Sequence, residues 1–271
     1  MSQGTLSPAQ PAGNGGAGIY QNIATRLGFL LFLVFAWQVA TMVTDIPSYL
    51  LPSPLEVASE FVRVVGDGTL FHSLRLSLSR MFIGYGISIV GGIAIGVLLA
   101  RSWLVKQTLG SLFLSLQSLP SICWLPFALI WVGLNEGAVI AVIILGALFS
   151  IAITTESAIR NIPPIYTKVG RVLGARRVVL SRDVLFFAAL PELIGGLKIG
   201  WTFAWRSLMA AELIRQDILG VGNLLETGRQ FSNMPLMFAA IFTILAIGLT
   251  VDTLIFGNLE RIVRRRWGLE K

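Results

Sequence analysis

The chain has 271 residues, 55% of them hydrophobic and 13% charged, against roughly a quarter charged in an ordinary soluble domain. That balance identifies an integral membrane protein, and the net charge of +7 follows, because the basic residues mostly flank apolar runs as topology demands rather than forming a nucleic-acid surface. A single cysteine, Cys123, excludes an internal disulfide, and a single histidine, His72, excludes a His-based metal cluster and a two-histidine relay.

Residues 1–22 are rich in Gly, Ser, Pro, Ala and Gln and are expected to form a disordered tail, since they carry too little apolar surface to fold alone. The tail has no basic n-region, and the first apolar stretch starts near Leu27, so a retained span is expected there in place of a cleaved signal peptide. A helix crossing about 30 Å of hydrocarbon needs roughly 20 apolar residues. Runs at 27–43, 81–100, 109–134 and 137–155 satisfy this nearly free of charge. The third contains Pro120 and Pro126, which predicts a broken helix whose first part lies partly along the interface. Two further spans, 184–213 and 236–259, carry internal charge, giving six spans in a single domain over 23–267, followed by a short tail at 268–271.

With the N-terminus inside, the inside segments hold 14 Lys and Arg and the outside segments 5, so both termini are expected in the cytoplasm. In the long outside loop Pro54 is followed by Leu55, Val57, Ala58, Phe61, Val62 and Val65 at helical spacing. That short amphipathic helix either caps the bundle or meets an external partner. Gly84, Ser88, Gly92, Gly96 and Ala100 form a small-residue stripe on the second span, and Gly196, Gly200 and Ala204 a similar one on the fifth. Both suit close helix contact within one subunit, a subunit interface or a pore-lining face.

Between the fourth and fifth spans, over 163–183, Pro163 and Pro164 stop the helix. Ile165, Val169, Val172, Leu173, Val179 and Leu180 then alternate with Lys168, Arg171, Arg176, Arg177 and Arg182 around Gly174. Two short amphipathic helices meeting at a glycine can lie on lipid headgroups or insert into a partner's groove.

The segment KVGRVLGARRVVLSRDVLFFAALP, residues 168–191, resembles the EAA loop of binding-protein-dependent ABC importer permeases. Lys168, Val169 and Gly170 stand where that family has its Glu-Ala-Ala triplet, Gly174 matches the loop glycine and Pro191 the later proline. The acidic residue is absent and Phe187 replaces the earlier proline. LLPSPLEV (50–57), SLQSLPSICWLPFALIWVGLNE (115–136) and AWRSLMAAELI (204–214) are similar to permeases of the nitrate, sulfonate, taurine and bicarbonate group, and the similarity runs over about residues 25–267.

The resemblance implies an all-α, six-span permease of the type I importer kind, with a cytoplasmic coupling helix between spans four and five. It further implies a second permease copy or close paralogue, two ATPase subunits docked on a loop formed by Lys168, Val169, Gly170, Arg171, Gly174, Ala175, Arg176 and Arg177, and an external solute-binding protein. The setting it implies is a bacterial inner membrane. The sequence lacks a G-x-x-x-x-G-K-[ST] phosphate loop, so ATP and Mg are expected on the partner ATPase, with no cofactor and no enzymatic role on this chain. A secondary transporter or channel for a small anion, working without ATP, is the alternative.

A charge at mid-bilayer costs on the order of 2.5–3.5 kcal/mol and needs a partner or a watery cavity. Arg206 lies well inside span five, where its planar donors suit nitrate, carboxylate or sulfonate oxygens, and with Trp205 and Glu212 it makes the candidate translocation pathway. Glu212 is the alternative partner for Arg206, although six residues place them on different faces of one helix. Lys198 is expected to snorkel, Glu192 to pair with Arg177 or Arg182, and Asp252 to pair within the bundle. Trp124, Phe127, Trp131 and Phe149 either line a gate or anchor span ends.

Overall fold

Small side chains on α3 (Thr69–Arg101) set the core, because in lipid helices associate through close packing rather than through escape from water. A Cβ added at Gly84, Gly92 or Gly96 would stand 2.5–2.8 Å from Ile143, Ile151 or Thr155, so α3 presses directly onto α6 (Glu136–Arg160). Gly196 and Gly200 let α8 (Leu180–Ile214) approach Thr154 and Ile151 on another side of α6. Both small-residue stripes are therefore contacts within one chain. Helix α6 is the hub, with Ala138, Val139, Val142, Ile143, Ala147, Ile151 and Ala152 fully enclosed.

The computed structural model describes residues 15–44, 47–176 and 179–266, and among these the secondary structure is entirely helical. The first helix, α1 (Gly15–Val43), lies at the periphery and stacks Trp37 on Phe238 at 5.4 Å. It begins at Gly15, so residues 15–22 of the expected tail are helical, since extending a formed helix costs little per residue; the rest of that tail, and the 268–271 tail, lie outside the described residues. The amphipathic segment forms α2 (Pro54–Gly66), opened by a capping box between Ser53 and Glu56. Its Val64 packs with Leu70, Leu224, Leu236 and Ala240, so α2 caps the bundle.

The predicted break is present: α4 (Trp103–Gln117) and α5 (Ser121–Val132) meet at 105°. Pro120 makes the bend, since it biases Leu119 away from helical geometry, whereas Pro126 sits harmlessly in the first turn after it. After α6 come α7 (Pro164–Val172), α8, α9 (Val221–Gln230) and α10 (Met234–Arg265).

Six predicted spans thus become four helices long and apolar enough to cross a bilayer among the described residues, or five when the bent pair counts as one. The apolar part of α1, Leu27–Val43, rises only about 26 Å, short of the roughly 30 Å core.

Candidate functional site

Helix α7 ends in a Schellman motif. The Ala175 N–H donates to Gly170 O at 2.9 Å, the Gly174 N–H donates to Arg171 O at 3.0 Å, and Gly174 adopts φ +81°, which only glycine takes without strain. The close-packed position is Gly170, not Gly174: a Cβ at Gly170 would meet Leu180 Cδ1 at 2.5 Å, while Gly174 has open space around it. Leu180 and Val184 thus hold α7 against the start of α8 and leave its other face outward.

That outer face is apolar and uncovered. Val172 and Leu173 are 86% and 80% exposed, and Ile165, Tyr166, Val169, Gly170, Leu173 and Val184 line a groove of about 450 Å³. Lys168, Arg171 and Arg176 are exposed around it, and Ala175 is half-buried. Arg177 lies outside the described residues.

The three residues grouped on α8 part company. Arg206 is exposed, has no carboxylate partner among the described residues, and stands between two concavities. One, of about 350 Å³, is lined by Gln117, Ser118 and Ser121 at the α4–α5 bend together with Trp124 and Phe203. The other, of about 490 Å³, is lined by Trp201, Thr202, Trp205 and Asp252. Trp205 is buried and lies parallel to Trp201 at 6.3 Å. Trp124, Phe127, Trp131 and Phe149 form a contact chain, with centroids 5.6–6.5 Å apart.

Glu212 does not meet Arg206. It is 0% exposed and bonds Arg80, itself 2% exposed, at 2.8 Å. Ser77 Oγ donates to the same carboxylate at 2.7 Å, and so does the Gly222 N–H at 3.1 Å. Arg80 also donates to Leu219 O at 2.7 Å and to Glu136 at 2.8 Å, so one buried cluster ties α3, α6, α8 and the loop before α9. A second span read from residue 81 leaves Arg80 just outside it in the outer loop; the signal available was that Ser73, Ser77 and Arg80 continue the helical stripe of Gly84, Ser88 and Gly92.

Other charges settle nearby. Lys198 pairs with Asp252 at 3.2 Å, whereas Glu192 accepts from Ser157 and Asn161; of its two expected partners, Arg182 pairs with Asp183 and Arg177 lies outside the described residues. Outside the spans, the Arg215 guanidinium holds the Asp217 carboxyl below its usual range.

Residues 92–266 match the family described as binding-protein-dependent transport system inner membrane component. The chain belongs to this family. The permease is 30% identical to the nitrate import permease protein NrtB of Leptolyngbya laminosa over 92% of this chain and 90% of that protein. It is also 30% identical to the bicarbonate transport system permease protein CmpB of Synechococcus elongatus, covering 87% and 86%. The putative aliphatic sulfonates transport permease protein SsuC of Bacillus subtilis is 29% identical, covering 82% and 80%. A chain of the MetNI methionine ABC transporter, solved in inward-facing conformations, superposes with a TM-score of 0.59 at 25% identity, over 73% of the permease and 95% of that chain. The fold is that of a type I ABC importer permease.

Proposed function

We propose that the permease forms half of an ATP-driven import pathway for a small anion of the nitrate, bicarbonate, alkanesulfonate or taurine class. A second copy or close paralogue completes the pathway, an external binding protein delivers the solute, and two cytoplasmic ATPase subunits dock on α7. In this reading α1 supplies the sixth span, both termini are cytoplasmic and the membrane is a bacterial inner membrane.

The observation that carries the reading is the uncovered apolar face of α7, whose Val172 and Leu173 would otherwise stand in water. A groove beside a rigid Schellman turn suits a partner that pulls on the helix as ATP binds, and ATP shifts the permease between two states only by binding them unequally. Lys168 in place of an acidic residue inverts the charge at that contact, so the ATPase cleft is expected to offer a carboxylate there. Arg206 is assigned to the pathway because a cation at mid-span with no carboxylate partner among the described residues needs an anion or water. Trp205 shapes the wall beside it, and Glu212 anchors the fold.

The test is mass spectrometry of what accompanies the tagged chain from its own membranes in mild detergent, followed by uptake in liposomes. A stoichiometric ATPase and uptake that requires ATP are expected. A homo-oligomer that transports an anion without ATP would overturn the proposal in favour of a secondary transporter.

A further inference from the structure

A cavity of about 300 Å³ lies behind the coupling element, between the ends of α3 and α6 and the first turns of α8. Its walls are mainly apolar, with Ile93, Ile159, Leu185 and Leu193 among them, and three polar residues, Arg101, Thr155 and Ser181, interrupt them. Arg101 closes α3, is exposed and has no carboxylate partner among the described residues. Nearby cations are already paired: Lys106 and Arg160 with Glu156, and Arg182 with Asp183. Thr155 also lines the cavity and is 2% exposed; its Oγ1 is sealed beneath the wall, without a hydrogen-bond partner among the described residues.

An apolar slot with a cation at its mouth that has no carboxylate partner among the described residues matches an amphipathic anion. Arg101 ends a membrane-crossing helix, where long basic side chains reach the headgroup layer. We infer that this cavity holds one acyl chain of an anionic membrane phospholipid, with its phosphate at Arg101. A neutral occupant leaves Arg101 without a counter-charge, and water filling the slot faces a largely apolar wall. The occupant packs against Leu185, in the same π-helical segment as the Leu180 that seats Gly170 of α7, so a lipid braces the coupling helix from behind.

The test uses the full chain, with whatever subunits accompany it, in nanodiscs doped with phosphatidylglycerol carrying a diazirine on its acyl chain. Peptides labelled by light are mapped by mass spectrometry, with α1 as the internal standard for ordinary lipid contact. Label is expected on the peptides around Ile159 and Leu185 above the level on α1. Arg101→Gln is expected to lower that excess about fivefold, the worth of one basic side chain near an anionic surface. Ile159→Trp is expected to abolish it by filling the slot. Label no higher than on α1, label indifferent to Arg101→Gln, or equal label from the phosphatidylcholine analogue would overturn the inference.

Discussion

Glu212→Gln preserves side-chain shape and removes the charge, which isolates the electrostatic part of the buried cluster. Arg80 then keeps only Glu136, 58% exposed and screened by solvent, and the Leu219 carbonyl. Breaking a buried ion pair from one side costs about 3–5 kcal/mol. The amide oxygen still accepts from Ser77 or Gly222 and the Glu136 contact persists, which together restore about 1–2 kcal/mol. The net loss of about 1–4 kcal/mol corresponds to a fall in Tm of roughly 2–16 °C for a chain near this size. Arg80→Met is expected to fall further, because it strands a carboxylate at 0% exposure, and the double variant Arg80→Met/Glu212→Gln to recover much of the loss because no charge remains buried alone. The assay is thermal unfolding of all four proteins in one mild detergent at one scan rate. Single variants within about 2 °C of wild type, or a double variant whose loss equals the sum of the singles, would refute a coupled pair in a low-dielectric site.

Arg206→Ala is expected to raise the KM for anion uptake about 10- to 100-fold, the worth of a charge-assisted hydrogen bond, without dispersing the complex; unchanged uptake kinetics would remove Arg206 from the pathway. Gly174→Val forces φ +81° on a β-branched residue at a cost of about 1–2 kcal/mol and is expected to uncouple ATP hydrolysis from uptake, whereas Gly174→Asn retains coupling; equal effects would show that the left-handed turn is not the constraint. Gly92→Leu, whose Cβ would lie 2.8 Å from Ile151 and 3.1 Å from the Leu148 carbonyl, is expected to prevent accumulation of folded protein, while Gly86→Leu, with open space, accumulates normally by fluorescence size-exclusion chromatography. The Glu60 carboxyl is held below its usual range chiefly by its hydrogen bond to Arg63, and Asn233 also donates to it, joining α2 to α10. Its contribution is fully present above the unfolded glutamate pKa of about 4.3 and is lost as pH falls through the lower folded value. Hydrogen-exchange protection of α2, corrected for intrinsic rates, is therefore expected to drop only on the acid side of that range; loss between neutral and mildly acid pH would contradict it.

Much of the site was legible because its signals are local in the chain. Pro163 and Pro164 mark where α6 stops, the alternation from Ile165 to Arg182 marks an amphipathic element, and Gly174 marks its turn. The roles of the two glycines were not legible, since that Gly170 is seated against Leu180 depends on how α8 returns across α7. Glu212 illustrates the same limit: its nearest cation in sequence is Arg215 and its nearest in span five is Arg206, yet its partner is Arg80, 132 residues away.

Composition and apolar run length alone determined that this chain lives in a bilayer and is helical, because lipid allows no unsatisfied backbone and leaves few alternatives. Proline and glycine positions determined where helices break, bend and turn, because those residues act through their own dihedrals. Tertiary structure decided which small-residue stripe faces which helix, which charges find each other, and which remain free. Those outcomes depend on distances between segments far apart in the chain, and no periodicity within one helix encodes the neighbour that fills its groove. Arg80 and Arg206 make the point together: both are arginines flanked by small and apolar residues, and only the packing of α3 and α8 around α6 encloses the first and leaves the second open.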